Sequence, residues 1–213
     1  QKVIARVSKE RIFEDALYLT ETIGPRVTGT EGEQQAADFI RARLSSYGYT
    51  VETQEFSIPD KGVGYLKTID DKEVLVTIPA GSGETSTNGL TAELYDAGMG
   101  YPENFSSEAS NKIALISRGG NSFTEKVQNA IQAGVSGVLI YNNIDALTPL
   151  NPSLGNSNFD IPVGGITKVS GEALRNDIVS HNKTVNFKVQ LLKNAKSQNI
   201  IATRTPQKGS NHE

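Results

Sequence analysis

The stretch from Lys112 to Asn143, KIALISRGGNSFTEKVQNAIQAGVSGVLIYNN, leaves the chain few ways to fold. Ile113-Ala-Leu-Ile116 and Val138-Leu-Ile-Tyr141 are short, continuous apolar runs bounded by turn signals, which is the pattern of buried strands. Between them Ser122 and Glu125 have capping-box spacing, in which hydroxyl and carboxylate satisfy backbone N–H groups orphaned at a helix start. Phe123, Val127, Ala130 and Ile131 then share one helical face, and Gly134 supplies the left-handed residue that stops the helix. A strand–helix–strand unit of this kind crosses over right-handedly, so two parallel strands with a helix across one face are expected.

The rest of the chain is read outward from this unit. Ser8 precedes a helix over about residues 9–23, with Ile12, Ala16, Leu19 and Ile23 on one face, and Gly24-Pro25 ends it. Thr30-Glu-Gly-Glu33 reads as a second capping box, opening a helix that turns Ala36, Ile40, Leu44 and Tyr47 inward and stops at Gly48. A strand follows from Tyr49 to Ile58. Residues 60–111 hold β-like fragments, Glu73 to Ile78 and Leu90 to Tyr95, separated by clusters of Gly, Pro, Asn and Ser. After a polar loop at 150–159 come a strand at 161–166 and a helix at 169–179 with Leu174 and Ile178 one turn apart. From Thr184 to Leu192, Val185, Phe187, Val189 and Leu191 alternate with polar residues, the mark of a half-buried strand. Residues 197–203 read as a last strand and 206–213 as a polar tail. The sum is a mixed α/β (α+β) protein.

Composition removes several functions. A net charge of −3 leaves no basic footprint for nucleic acid. No run of eighteen apolar residues is present, so no membrane span is expected. With no cysteine there is no disulfide, thiolate metal site or cysteine nucleophile. The first residue is Gln1 rather than Met, which suggests removal of a leader and a secreted or cell-envelope location.

Histidine is scarce: only His181, in a helix-to-strand turn, and His212, in the polar tail. Neither is expected to serve a Ser–His–Asp triad or a metal site. Asp60, Asp70 and Asp71 stand in turn contexts, where carboxylates cap or solvate, and a carboxylate Ca²⁺ site there is the lesser reading. Ser117-Arg-Gly-Gly-Asn-Ser-Phe123 lacks the spacing of a phosphate loop or a dinucleotide fingerprint. Arg118 is therefore expected to brace its turn, with anion binding beside the helix start as the alternative. Asn104-Phe-Ser106 and Asn182-Lys-Thr184 match the glycosylation acceptor pattern. No catalytic or metal-binding residue emerges.

Lys112-Ile-Ala-Leu-Ile-Ser-Arg-Gly119, with Ser122-Phe123, Glu125-Lys126, Asn129-Ala130, Ala133-Gly134 and Gly137-Val-Leu-Ile-Tyr-Asn142, resembles the protease-associated (PA) domain. Ile161-Pro-Val163 and Gly171-Glu-Ala-Leu174 fit that family's later strand and helix. Gly24-Pro-Arg-Val-Thr-Gly-Thr30, Ala37-Asp-Phe-Ile40, Leu44 and Gly48-Tyr-Thr-Val51, then Gln54 and Phe56, resemble the start of an M28-family zinc aminopeptidase of the secreted bacterial type. Ser197-Gln-Asn-Ile-Ile-Ala202 resembles the strand where such enzymes return to the peptidase fold after a PA insertion. The resemblance implies three segments: 1–59 and 196–213 from an incomplete peptidase portion, and 60–195 a PA domain with additional antiparallel strands.

The resemblance also implies what the parent enzyme uses. Two zinc ions are held by His and acidic ligands, a Glu acts as general base, and the substrate is a peptide or protein. The first His-x-Asp ligand motif falls one strand beyond Asn199-Ile-Ile-Ala202, whereas this sequence reads Asn211-His-Glu213 at its end. No ligand transfers to a residue here, so an inactive N-terminal portion is expected, with a stand-alone PA-type binding module as the alternative. Its peptidase-like helices would lack a central sheet to pack on. Their apolar face is then expected to be covered by dimerisation or strand exchange, or to be partly disordered.

Overall fold

The computed structural model describes residues 7–181 and 184–205. Its α-helices are α1 (Lys9–Leu17), α2 (Glu31–Ser46), α3 (Phe123–Gln132) and α4 (Lys168–His181). Its strands are β1 (Thr50–Ser57), β2 (Lys61–Thr68), β3 (Glu73–Val74), β4 (Leu90–Asp96), β5 (Ile113–Ser117), β6 (Gly137–Tyr141), β7 (Val163–Ile166), β8 (Thr184–Leu192) and β9 (Lys196–Thr203). The fold is mixed α/β. The chain forms two units, residues 1–59 with 194–213, and residues 60–193.

In the first unit β1 and β9 form an antiparallel ribbon in register from Thr50–Thr203 to Ser57–Lys196, and α2 packs on it. Where the ribbon ends, Ile58 N donates to Ala195 O at 3.0 Å, so the chain leaves and rejoins this unit at adjacent points. The second capping box does not form. Thr30 donates its hydroxyl to Val27 O, while Glu33 turns away to accept from Gly29 N and from the buried Ser197 hydroxyl. Two backbone and side-chain donors outbid one cap. The long helix at 9–23 is also interrupted: after α1 the residues Tyr18–Ile23 run as a wider π-type helix. Arg26 takes up the carbonyls of Leu19 and Gly24 there, satisfying acceptors that a helix end leaves free.

Burial in this unit departs from the sequence pattern. Ile12, Ile40 and Tyr47 were expected to face inward, yet they are 60 %, 39 % and 44 % exposed. Of its described residues only Ala36, Ala37 and Ser197 are buried. The periodicity is that of a buried face, but the described residues of this unit leave it exposed.

The second unit has a sheet in the order β3-β2-β8-β4-β5-β6-β7, with β4 to β7 mutually parallel and β2 and β8 antiparallel. Its two edges are brought together by one short segment. β3 pairs with β2, and three residues past Val74 the Thr77 N and O exchange hydrogen bonds with Gly165 of β7 at 2.9 and 2.8 Å. The sheet thus closes toward a barrel, leaving less free edge for unwanted pairing. Inside lie Leu66, Leu115, Leu139, Ile166, Val185 and Phe187. A second cluster, including Ile116, Val127, Ala130, Val138 and Ile140, fills the space on the α3 side.

The strand–helix–strand unit forms as its pattern demands. Ser122 Oγ accepts from Glu125 N, Glu125 accepts from Ser122 N at 2.8 Å, and Gly134 takes φ +78°. The Ser122 hydroxyl, donating to the Glu125 carboxylate at 2.7 Å, and then the Ser122 N–H hold that carboxyl below its ordinary pKa. The cap therefore contributes stability above the unfolded carboxyl's pKa, and loses it as pH falls through the lower folded value. Ser122→Ala should cost about 1 kcal/mol of stability, read as a lower urea midpoint with unchanged slope. One expected inward residue, Ile131, is 39 % exposed at the helix end.

Glu73 to Ile78 is not one strand. Only Glu73 and Val74 pair with β2, because the chain must leave that edge to reach Gly165. β2 itself is built on two glycines, and a Cβ on Gly62 or Gly64 would come within 2.3 or 2.4 Å of the Ile78 side chain. Val185, Phe187 and Val189 are buried, as their alternation requires.

Candidate functional site

The carboxyl ends of β4, β5, β6 and β7 come together as a rim of four connections, where parallel α/β sheets commonly place their ligands. Each connection is held from within. After β4, Asp96 accepts from Gly98 N at 3.1 Å and from Arg175 Nε of α4 at 2.7 Å. After β5, Arg118 N donates to Tyr141 O at 2.9 Å, and its guanidinium donates to Asn142 Oδ1 at 3.0 Å. Arg118 is the brace that the sequence suggested. A Cβ on Gly120 would lie 2.2 Å from the Tyr101 hydroxyl, so the two glycine turns at 98–100 and 119–120 fit closely together.

The loop after β6 leaves at Asn142 and returns at Leu150, and both backbone N–H groups donate to the one carbonyl of Ile166. Its flank is tied by Asp145 to Lys168 at 3.2 Å. Its tip carries Ile144 and Leu147, 58 % and 98 % exposed, near the start of α4 where Val169 is 68 % exposed. A loop clamped at its base with aliphatic residues at its tip suits contact with another polypeptide. Asp96 is paired with Arg175 and Asp145 with Lys168, while Arg118 is held by the neutral Asn142, so these groups are engaged in holding the rim together.

At the other end of the same unit a cleft of about 390 Å³ opens between Lys61, Gly62, Ile78 to Ser82, and Leu191 to Lys193. Asp60 lines it. Asp71, at φ +63°, pairs with Lys67 at 3.0 Å in the turn after β2. Asn104 is used locally: its Oδ1 accepts from Tyr101 N, fixing the turn after β4. His181 is the last residue of α4, while His212 and Asn182 lie outside the described residues. Among the described residues no three His, Cys, Asp or Glu side chains gather where a metal could sit. The zinc pair that the resemblance implies for a parent enzyme therefore does not fit the residues described here.

Comparison with known proteins follows the same division. The PA domain family model matches residues 75–174. "Aminopeptidase YwaD" of Bacillus subtilis is 41 % identical over 188 residues, which are 88 % of this chain and 40 % of that protein. The structure of BSAP, described as a zinc aminopeptidase from Bacillus subtilis, superposes with TM-score 0.60 at 39 % identity, covering 92 % of this chain and 47 % of that one. An aminopeptidase from Aneurinibacillus sp. strain AM-1 superposes with TM-score 0.52 at 31 % identity, over 97 % of this chain and 50 % of the other. The chain thus spans half or less of the length of these relatives. Residues 75–174 match the PA domain family model, and over most of its length the chain is similar to part of several aminopeptidases, one of them described as a zinc aminopeptidase.

Proposed function

We propose that this chain is the N-terminal portion of a secreted bacterial zinc aminopeptidase: residues 1–59 and 196–213 belong to the catalytic domain, and the PA domain between them shapes the approach of peptide substrates. The observation that carries this reading is the contrast between the two units. The PA unit encloses two apolar clusters of its own. The other unit leaves Ile12, Phe13, Leu17, Tyr18, Phe56 and Ile201 between 41 % and 65 % exposed on elements that are otherwise well formed. Such faces belong against further sheet and helix, and proteins of the kind this chain resembles are about twice its length. A stand-alone PA-type binding module has the completeness of the PA unit in its favour, but it gives no role to the exposed helices. Among the described residues no helix is long and apolar enough to cross a membrane, which accords with a secreted parent.

The catalytic expectation is direct. A zinc-bound water needs a ligand set that lowers its pKa, and the described residues supply none. Incubated with Zn²⁺ and leucine p-nitroanilide, the chain alone should show no turnover above metal in buffer. Robust turnover abolished by a chelator would overturn the reading.

A further inference from the structure

The chain has a single methionine, Met99, and neither cysteine nor tryptophan, so it holds one side chain that peroxides attack readily. That side chain is built into the rim. Met99 is half-buried in the turn after β4, between Gly98 and Gly100, which take φ +51° and +73°. A Cβ on Gly119 would lie 3.1 Å from the Met99 methyl carbon and 4.0 Å from its sulfur, and a Cβ on Gly120 would lie 3.3 Å from the methyl. The thioether therefore rests on the Gly119-Gly120 turn, in room that two absent side chains leave. The side-chain nitrogen of Asn143, in the loop after β6, would lie 3.7 Å from the same Cβ on Gly119. One side chain of the β4 connection thus meets the β5 connection where the β6 loop also reaches it.

The main chain around the sulfur is held in place. Lys126, buried on α3, donates from Nζ to Met99 O and, at 2.9 Å, to Asn121 Oδ1. Gly100 N donates to Ala97 O at 2.8 Å, and Gly100 O accepts from the Asn129 side chain at 2.9 Å. A change of size or polarity at the sulfur is therefore not absorbed by sliding the turn. Either the side chain leaves its seat or the Gly119-Gly120 turn gives way.

We propose that Met99 is a modification site, at which oxidation of the thioether by a hydroperoxide loosens the rim formed by the connections after β4, β5 and β6. The sulfur lone pair takes one oxygen atom from the peroxide and the O–O bond breaks. The proton on the transferred oxygen passes to the departing oxygen, which leaves as water or an alcohol. Sulfur is oxidised by two electrons and the peroxide is reduced by the same two. The sulfoxide is polar and chiral where an apolar thioether met glycine backbone, and methionine sulfoxide reductases reverse the change. Its S–O dipole requires a donor, so the side chain turns out toward water or toward the Asn143 amide. Either movement parts the turn at 98–101 from the turn at 118–120, beside the loop that carries Ile144 and Leu147.

Dilute hydrogen peroxide, applied to the 213-residue chain, provides the test. Mass spectrometry should show a gain of one oxygen atom, confined to the peptide that contains residue 99. In ¹⁵N NMR spectra the amides of Gly119, Gly120 and Asn143 should move in step with that gain, and the urea midpoint should fall. Met99→Leu should gain no oxygen under the same treatment and should keep its spectrum, which separates oxidation of the sulfur from damage elsewhere. If that variant fails to fold, the mass and amide shifts of the wild type decide. A wild-type mass that stays unchanged while free methionine in the same tube is consumed would overturn the proposal. So would a sulfoxide at Met99 that leaves the Gly119 and Gly120 amides undisturbed.

Discussion

Phe187→Ala should lower the stability of the unit of residues 60–193 by about 3–5 kcal/mol, because a fully buried ring is lost from the centre of a closed sheet. Phe187 is in β8, opposite Leu66 of β2 on one side and Leu90 of β4 on the other. A Cβ on Gly164 of β7 would lie 2.9 Å from the tip of its ring, so the ring reaches across the interior to the far edge. The walls are hydrogen-bonded strands, which cannot collapse into the hole as a loop could, and that favours the upper part of the range. In urea the midpoint should fall by about 2 M at a typical slope. Total stabilities of single domains are about 5–15 kcal/mol, so the loss removes a large share of the folding free energy. A midpoint shift under about 0.5 M would show that the ring does not hold the barrel together.

Gly171→Leu should be damaging for the opposite reason. Gly171 is on α4 where the helix crosses β6, and a Cβ there would stand 2.1 Å from Tyr141 Cβ and 2.2 Å from its Cγ. Those atoms belong to the root of a side chain on a central strand and cannot swing aside. The helix must lift, uncovering Leu174 and breaking the Arg175–Asp96 pair at the rim. Overpacking of this kind costs about 1–3 kcal/mol in adaptable cores, and the cost here should reach or exceed about 3 kcal/mol. Gly171→Ala makes the test sharper. Helix propensity alone favours alanine by about 1 kcal/mol, so a net loss of stability would isolate the clash. An alanine variant more stable than wild type would refute the close packing of α4 on Tyr141.

The parts legible in the sequence are those where local pattern and tertiary fate agree. The unit from Ile113 to Tyr141 announces its strands by continuous apolar runs, and its helix by a cap that the structure closes. β8 announces itself by alternation, and one face of it is indeed core. β2 was illegible because Gly62 and Gly64 lower strand propensity, and they are there only to admit Ile78. No periodicity reports a need that arises from a residue elsewhere in the chain. Lys126 was hidden for a related reason: on the helix wheel it looks like a solvated residue beside Val127, and the turns at Met99 and Asn121, distant in pattern, take up its amine. In the first unit the error ran the other way. Ile12, Ile40 and Tyr47 carry an inward-facing pattern, yet all three are exposed among the described residues. The rim was legible only as Arg118, since its remaining contacts join residues far apart in sequence.

The bond between Ile58 and Ala195 bears on the order in which the molecule assembles. β1 and β9 are adjacent in space with more than half the chain between them, so pairing them in an unfolded chain means closing a very long loop. Once β2 and β8 have paired, with Lys61 opposite Leu192, that loop is reduced to two linkers of three residues each. The entropy of closure then falls by about 3 kcal/mol, and two distant strands meet as if they formed a simple hairpin. The unit of residues 60–193 is thus a folding template for the ribbon, which should form only after it, and a variant that unfolds that unit should unzip the ribbon as well.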